Sequence, residues 1–120
     1  MCLTVALWNG RDSILKERLF GLTGPEGNHG EDGKEIYFYE DASPTASYAR
    51  YRYLYPMDEY PYGDLVSTNA SRSRHELEYE LVDSLGSTAL ARWHFWDVVV
   101  EWAKAGEDEL LCLITVTNRS

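Results

Sequence analysis

Residues 90–117 decide the fold, and they read LARWHFWDVVVEWAKA (90–105), GEDE (106–109) and LLCLITVT (110–117). Periodicity alone allows a helix in the first part, because four polar side chains share one helical face. They are His94, Asp97, Glu101 and Lys104. The three consecutive valines Val98–Val100, with a phenylalanine and three tryptophans, instead favour a pleated surface. The last part alternates between two faces, and the glycine and acidic residues before it are typical of a hairpin loop. The stretch therefore predicts two antiparallel strands.

Alternating apolar residues predict further strands on the N-terminal side of this stretch. They are Cys2–Trp8, Ile14–Leu22, Glu35–Tyr39, Ser47–Tyr55 and Glu76–Val82. Ile14–Leu22 also fits a helical stripe, but it is short and runs directly into glycine, which favours a strand. Ser47–Tyr55 places three tyrosines on one face and could pair with Glu35–Tyr39 as a hairpin. About five to seven strands without a convincing helix predict an all-β fold, with the antiparallel sheets of a β-sandwich.

The length of 120 residues suits one domain, and no repeat or linker divides the chain. Residues 1–120 are therefore predicted to form a single unit. The chain begins inside one predicted strand and stops directly after another, at Thr117-Asn-Arg-Ser120. These ends predict an incomplete domain, a fragment of something larger.

Eleven basic and twenty acidic residues give the chain a net charge of −9. Nucleic acids and anionic membranes require clustered positive charge, so both are excluded as main partners. No apolar run approaches the ~20 residues of a membrane-spanning helix, and no signal peptide opens the chain. The two cysteines, Cys2 and Cys112, lie in apolar strand-like contexts and are predicted to be reduced thiols of the core. Together these features predict a cytoplasmic protein without a metal site or a cofactor.

The segment 21–33, GLTGPEGNHGEDG, has glycine at every third position, which predicts a long shaped loop. Its polar side chains include Asn28, His29, Glu31 and Asp32, and such groups can hydrogen-bond sugar hydroxyls. Acidic side chains are mostly exposed, so a solvated acidic loop is the simpler interpretation of the same residues. Neither a nucleophile elbow nor a phosphate-binding loop occurs in the sequence. The residues alone therefore leave a binding loop and an exposed acidic loop open.

Six blocks of the sequence carry a resemblance to a known family. They are LWNG (7–10), LKERLFGLTGPEGNHGED (15–32), KEIYFY (34–39), SRHELEYEL (73–81), VEWAKA (100–105) and ITVTNR (114–119). In this order they resemble the N-terminal region of bacterial and fungal glucosidase-like proteins of glycoside hydrolase family 63. The similarity spans essentially the whole chain, and the Lys16–Asp32 block is long enough to be specific.

The resemblance implies a β-sandwich that precedes an (α/α)-toroid catalytic domain. In that family the toroid supplies the general acid and the general base, and hydrolysis inverts the anomeric centre of an α-glucosidic bond. No residue of this chain is therefore expected to be catalytic, and its expected partners are the toroid and, through it, an α-glucosidic carbohydrate. Six residues are expected either to reach the rim of the substrate pocket or to dock the sandwich on the toroid: Glu17, Arg18, Asn28, His29, Glu31 and Asp32.

Two other functions are weighed against this expectation. A free-standing carbohydrate-binding module would have closed sheet edges and an exposed aromatic platform. Hydrolysis by this chain itself, through Glu31 and Asp32, is not expected, because two neighbouring acids cannot be assigned acid and base roles without their separation in space. The leading expectation remains a non-catalytic sandwich segment.

Overall fold

The computed structural model describes residues 3–13, 15–20, 37–80, 83–84 and 94–120. Within these residues the chain forms six strands and one helix. In chain order they are β1 (Leu3–Leu7), β2 (Lys16–Phe20), β3 (Tyr37–Ala42), β4 (Tyr48–Pro56), α1 (Tyr62–Ser71), β5 (Phe95–Lys104) and β6 (Leu110–Arg119). The described part is thus mostly β, which confirms the predicted all-β class.

The strands form two antiparallel sheets. β1 and β2 pair as a two-stranded hairpin, and the other four strands form one sheet in the order β3-β4-β5-β6. Each neighbouring pair in the larger sheet is antiparallel, and β5 pairs with β6 along its whole length, from Phe95 opposite Arg119 to Lys104 opposite Leu110. The hairpin predicted for residues 90–117 and the pairing of β3 with β4 are both confirmed.

One face of the larger sheet, the core face, carries the tyrosines of β4. Tyr51, Tyr53 and Tyr55 are at most 2% exposed, and they lie opposite Val100, Val98 and Trp96 of β5. Alternation along β4 places every second side chain on this face, as the sequence predicts. Five side chains from outside the sheet cover it: Val5 and Leu7 of the hairpin, Tyr60, and Tyr62 and Leu65 of α1. Among the described residues the covering layer therefore comes from the small hairpin, helix α1 and Tyr60 just before the helix.

The opposite face, the charged face, carries alternating basic and acidic side chains. Arg52 Nε lies 2.8 Å from Glu40 Oε1, and Arg50 Nε lies 2.7 Å from Glu40 Oε2. Arg50 also approaches Glu101 at 3.7 Å, and Asp97 lies 3.6 Å from Arg52. Arg50 and Glu101 are direct cross-strand partners on β4 and β5, whereas Arg52 reaches Asp97 diagonally, because Asp97 is paired with Leu54.

The prediction of a strand at Glu76–Val82 is wrong for residues 76–80, which form no regular element. The reason is that the Asn69 side chain makes the backbone hydrogen bonds with Tyr79 that a neighbouring strand would otherwise make. Asn69 of α1 donates from Nδ2 to the carbonyl oxygen of Tyr79 at 2.9 Å, and its Oδ1 accepts from the Tyr79 amide at 2.8 Å. Tyr79 also donates from its hydroxyl to Asp64 at 3.2 Å. The segment is therefore held against the helix rather than in a sheet.

Helix α1 itself is absent from the sequence prediction. Its sequence, YGDLVSTNAS, contains several poor helix formers, and of its apolar side chains Val66 is 70% exposed. Tyr62 and Leu65 nevertheless pack against the core face, and this tertiary contact compensates for the low helix propensity of the segment. The expectation of no helix is therefore incorrect for residues 62–71.

Cys112 has a free thiol, but it is exposed on β6, so its predicted place in the core is wrong. It lies on the core face opposite Trp102, at a position that the covering layer does not reach. Cys2 lies outside the described residues. In the part of the chain that the structure describes, no helix is long and apolar enough to cross a membrane.

Candidate functional site

The turn after β1 is fixed to the end of β4 by the side chain of Asn9. Its Nδ2 donates to the carbonyl oxygens of Pro56 and Asp58, both at 3.0 Å, and its Oδ1 accepts from the amides of Arg11 and Asp12 at 2.9 and 2.8 Å. One amide side chain thus joins four backbone groups from two separate segments. Gly10, the next residue, has φ of +79°, in the region where only glycine is unstrained. The Asn9-Gly10 pair therefore makes the turn and holds it against the end of β4. We call this set of Asn9 hydrogen bonds the clamp.

Replacing Asn9 with alanine is expected to lower the free energy of unfolding by about 2–3 kcal/mol, because four hydrogen bonds are lost at a partly buried site. Urea denaturation followed by tryptophan fluorescence measures the change. Asn118→Ala is the matched control, since Asn118 is exposed on β6, and its cost should stay within about 0.5 kcal/mol. Equal effects of the two substitutions would contradict the proposed clamp.

Next to this clamp, a lysine and an aspartate are buried between tyrosine rings. The side chains of Lys16 and Asp12 are 6% and 0% exposed, and Lys16 Nζ lies 3.4 Å from Asp12 Oδ2. Lys16 donates to the hydroxyl of Tyr62, which in turn donates to Asp12 Oδ2 at 3.4 Å. The Lys16 ammonium also lies 3.7 Å from the centre of the Tyr60 ring. The hydroxyls of Tyr53 and Tyr60 are hydrogen-bonded to each other. We call Asp12, Lys16, Tyr60 and Tyr62 the lysine cluster.

The lysine cluster is suited to positioning rather than to catalysis. Among the described residues its ammonium contacts the Asp12 carboxylate, the Tyr62 hydroxyl and the faces of the Tyr60 and Tyr62 rings, and it has almost no contact with solvent. Lys16 is the first residue of β2, and β2 leads directly into the glycine-rich segment 21–33. The cluster therefore fixes, on the core face, the strand from which the predicted loop extends.

On the charged face, the acidic groups alter the titration of their neighbours. A hydrogen bond that Tyr48 donates to Glu101 at 2.7 Å raises the pKa of the Tyr48 hydroxyl above its ordinary value. The hydrogen bond from Arg50 to Glu40 raises the pKa of the Arg50 guanidinium. Both shifts keep these groups in the protonated form at neutral pH. Within the described ranges, no group of three His, Cys, Asp or Glu side chains is placed to hold a metal ion.

The outer strand β6 forms a third surface, which we call the β6 edge (Leu110–Arg119). Its apolar side chains are exposed on both faces of the sheet: Leu111 (55%), Leu113 (59%), Ile114 (48%) and Val116 (52%). Ile114 and Val116 lie opposite Val100 and Val98, which are each 1% exposed. In the part of the chain that the structure describes, burial of the core face therefore falls off sharply between β5 and β6.

The residues that sequence reasoning proposed for a site are only partly within the described chain. Glu17 and Arg18 lie on β2, where they pair with Ala6 and Val5 of β1. Four further residues lie outside the described residues: Asn28, His29, Glu31 and Asp32. For these six side chains, a role at a substrate rim or at a domain interface stays a prediction.

Sequence reasoning missed both the clamp and the lysine cluster. In the sequence, the segment PMDEYPYG (56–63) indicates a break between regular elements, although it supplies Tyr60 and Tyr62 to the lysine cluster. The available signal was the density of tyrosines beside two prolines, because buried aromatic side chains need a covering layer. The pairing of Asp12 with Lys16 had no comparable signal, since charged residues four apart are common at the surface.

Comparisons with known proteins give one informative match. The chain is similar to the uncharacterized protein YMR196W of Saccharomyces cerevisiae, with 48% identity over 126 residues. The match covers 100% of this chain, and the chain spans 12% of the length of that relative. No family model matches the sequence, and no solved structure matches it.

Proposed function

We propose that this chain is the non-catalytic N-terminal sandwich segment of an inverting α-glucosidase-like hydrolase of glycoside hydrolase family 63. In this role it supports an (α/α)-toroid catalytic domain and offers a loop to its substrate pocket. The observation that carries the structural half of the proposal is the β6 edge. A strand with large aliphatic side chains exposed on both faces is typical of the interior of a larger β structure.

The similarity to a much longer protein supports the same conclusion. All of this chain aligns within 12% of the length of the Saccharomyces cerevisiae relative, so that protein has ample polypeptide with which to complete the sheet. The hydrolase half of the proposal is supported by the six ordered sequence blocks, which resemble the family 63 N-terminal region. The buried lysine cluster agrees with a supporting role, because it fixes the strand that precedes the glycine-rich segment.

The glycine-rich segment is proposed to contact substrate or toroid through Asn28, His29, Glu31 and Asp32. Replacing His29 and Glu31 with alanine in the longer protein distinguishes the two roles. A raised KM at unchanged melting temperature supports contact with substrate, and a lower melting temperature with normal kinetics supports docking. We place the protein in the cytoplasm, which agrees with the free thiol of Cys112.

The shape of the exposed surface favours this proposal over a free-standing carbohydrate-binding module. Sugar-binding platforms present aromatic rings, whereas the large exposed side chains of β6 are aliphatic. The tryptophans of β5, Trp96 and Trp102, are partly buried against the core. The β6 edge therefore resembles an interface with protein more than a platform for sugar, whereas the exposed aromatic rings, Trp8 (65%) and Tyr39 (41%), lie elsewhere.

The test is an assay of the full-length Saccharomyces cerevisiae relative and of the 120-residue chain with p-nitrophenyl α-glucoside. We expect the relative to release β-glucose, as inversion requires, and the chain alone to release none. Proton NMR identifies the anomer that forms first. The chain should also show the same melting temperature with and without α-glucosides.

Three results would contradict the proposal. Absence of α-glucoside hydrolysis by the relative would remove the assignment to a hydrolase. Hydrolysis by the chain alone would show that the segment is itself catalytic. Stabilisation of the chain alone by sugar would identify it as a carbohydrate-binding module.

A further inference from the structure

We infer that the β6 edge is the docking site for a β-strand from another part of the same longer polypeptide, which pairs with β6 and extends the sheet. This inference rests on the proposed function only in taking the chain as part of a longer protein. It specifies the partner, an apolar strand about as long as the ten residues of β6. It makes no use of the hydrolase assignment.

The first observation is that β6 is an unprotected edge. It is the last strand in the order β3-β4-β5-β6, and among the described residues no strand pairs with its outer side. Natural edge strands avoid unwanted pairing through short length, prolines, charged side chains or bulges. β6 has ten residues, its sequence LLCLITVTNR contains no proline, and its only charge is the terminal Arg119. It pairs with β5 without a shift of register.

The second observation is that β6 carries large apolar side chains on both faces, although Thr115 and Thr117 share the second face with Leu111 and Leu113. On the core face, Cys112, Ile114 and Val116 continue the row of buried side chains of β5. On the other face, Leu111 and Leu113 are more than half exposed. A strand at a true sheet edge needs only one apolar face, whereas a central strand in a covered sheet has two. The side chains of β6 therefore match a central position, which requires another strand beyond it.

Charge favours a strand of the longer polypeptide over a second copy of this chain. Each copy carries a net charge of −9, so two copies that meet edge to edge repel each other. A strand connected through the same polypeptide is present at a high effective concentration and does not bring this charge with it. In the Saccharomyces cerevisiae relative, 88% of the length lies outside the match and can supply the strand, since the chain spans 12% of it.

Cys112 provides the test, because its thiol is exposed and it is the third residue of β6. The 120-residue chain is compared with a hybrid in which it replaces the matching segment of the relative. Both are treated with N-ethylmaleimide, and modification is followed on the peptide that contains Cys112 by mass spectrometry. We expect alkylation in the hybrid to be slower by about tenfold or more, because pairing restricts access to the thiol. In a background with Cys112→Ser, Asp108→Cys in the exposed turn before β6 is the matched control and should react equally in both.

A second measurement keeps the inference testable if the hybrid does not fold. In the full-length relative, a cysteine is placed at the position that aligns with Cys112. Its thiol should react slowly with N-ethylmaleimide in the native protein and quickly after unfolding in urea. Equal reactivity in the chain and in the folded longer protein would overturn the inference. Protection in the 120-residue chain alone, together with a dimer mass in light scattering, would assign the edge to a second copy instead. Protection in a relative that does not hydrolyse α-glucosides would uphold the docking site and reject only the hydrolase.

Discussion

Replacing Asp12 with leucine is expected to lower the free energy of unfolding by about 3–5 kcal/mol, which is the usual cost of breaking a buried ion pair by removing one partner. The substitution removes the Asp12 carboxylate from beside the Lys16 side chain, which is 6% exposed. The described groups that still face the ammonium within the lysine cluster are then uncharged: the hydroxyl and ring of Tyr62 and the ring of Tyr60. Urea denaturation of the 120-residue chain, followed by tryptophan fluorescence, measures the loss.

A double-mutant cycle separates the ion pair from simple loss of packing. Lys16→Met alone leaves the Asp12 carboxylate buried, so its cost should be similar to that of Asp12→Leu. The double substitution removes both charges and should recover most of the loss, because well-packed apolar residues can replace a buried pair. Asp108→Ala, in an exposed turn, is the control with little expected effect. Additive losses in the double variant would show that the two groups do not act as a pair.

The sheet was predictable from the sequence because its signals are local. Alternation along Ser47–Tyr55 gives the buried face directly, and the valines of Val98–Val100 mark a central strand. The GEDE segment at 106–109 joins β5 to β6 as expected. Each of these features is decided by neighbouring residues within one strand or one turn.

The parts that the sequence did not predict depend on contacts between distant segments. Asn9 meets Pro56 and Asp58 only after the sheet has formed, and Asn69 replaces a strand partner for Tyr79 through its side chain. Helix α1 is stabilised by the packing of Tyr62 and Leu65 on the core face rather than by the helix propensity of its sequence. The exposure of β6 could not be predicted for a related reason. Alternation of apolar residues indicates a strand but does not show whether another strand pairs with its outer side.

A row of side chains that crosses β4, β5 and β6 on the core face allows a test of how far the core extends. Tyr53, Val98 and Val116 lie side by side on the core face, and their exposure rises from 1% for the first two to 52% for Val116. The row thus passes from buried positions on β4 and β5 to a half-exposed position on β6. Substitutions along it should therefore differ sharply in cost, although the residues are neighbours.

Tyr53→Ala is expected to lower the free energy of unfolding by about 3–5 kcal/mol, because it removes a fully buried ring and leaves a cavity. The ring stacks on Tyr55 with 5.4 Å between centroids, and its hydroxyl is bonded to that of Tyr60. Tyr53→Phe keeps the ring and should cost only about 1 kcal/mol. Val116→Ala in the 120-residue chain should cost less than about 1 kcal/mol, since its side chain is half exposed. In the longer protein we expect the Val116 substitution to become more costly, as the docked strand would bury it. An equal cost for Val116→Ala in both settings would argue that the sandwich is already complete at β6.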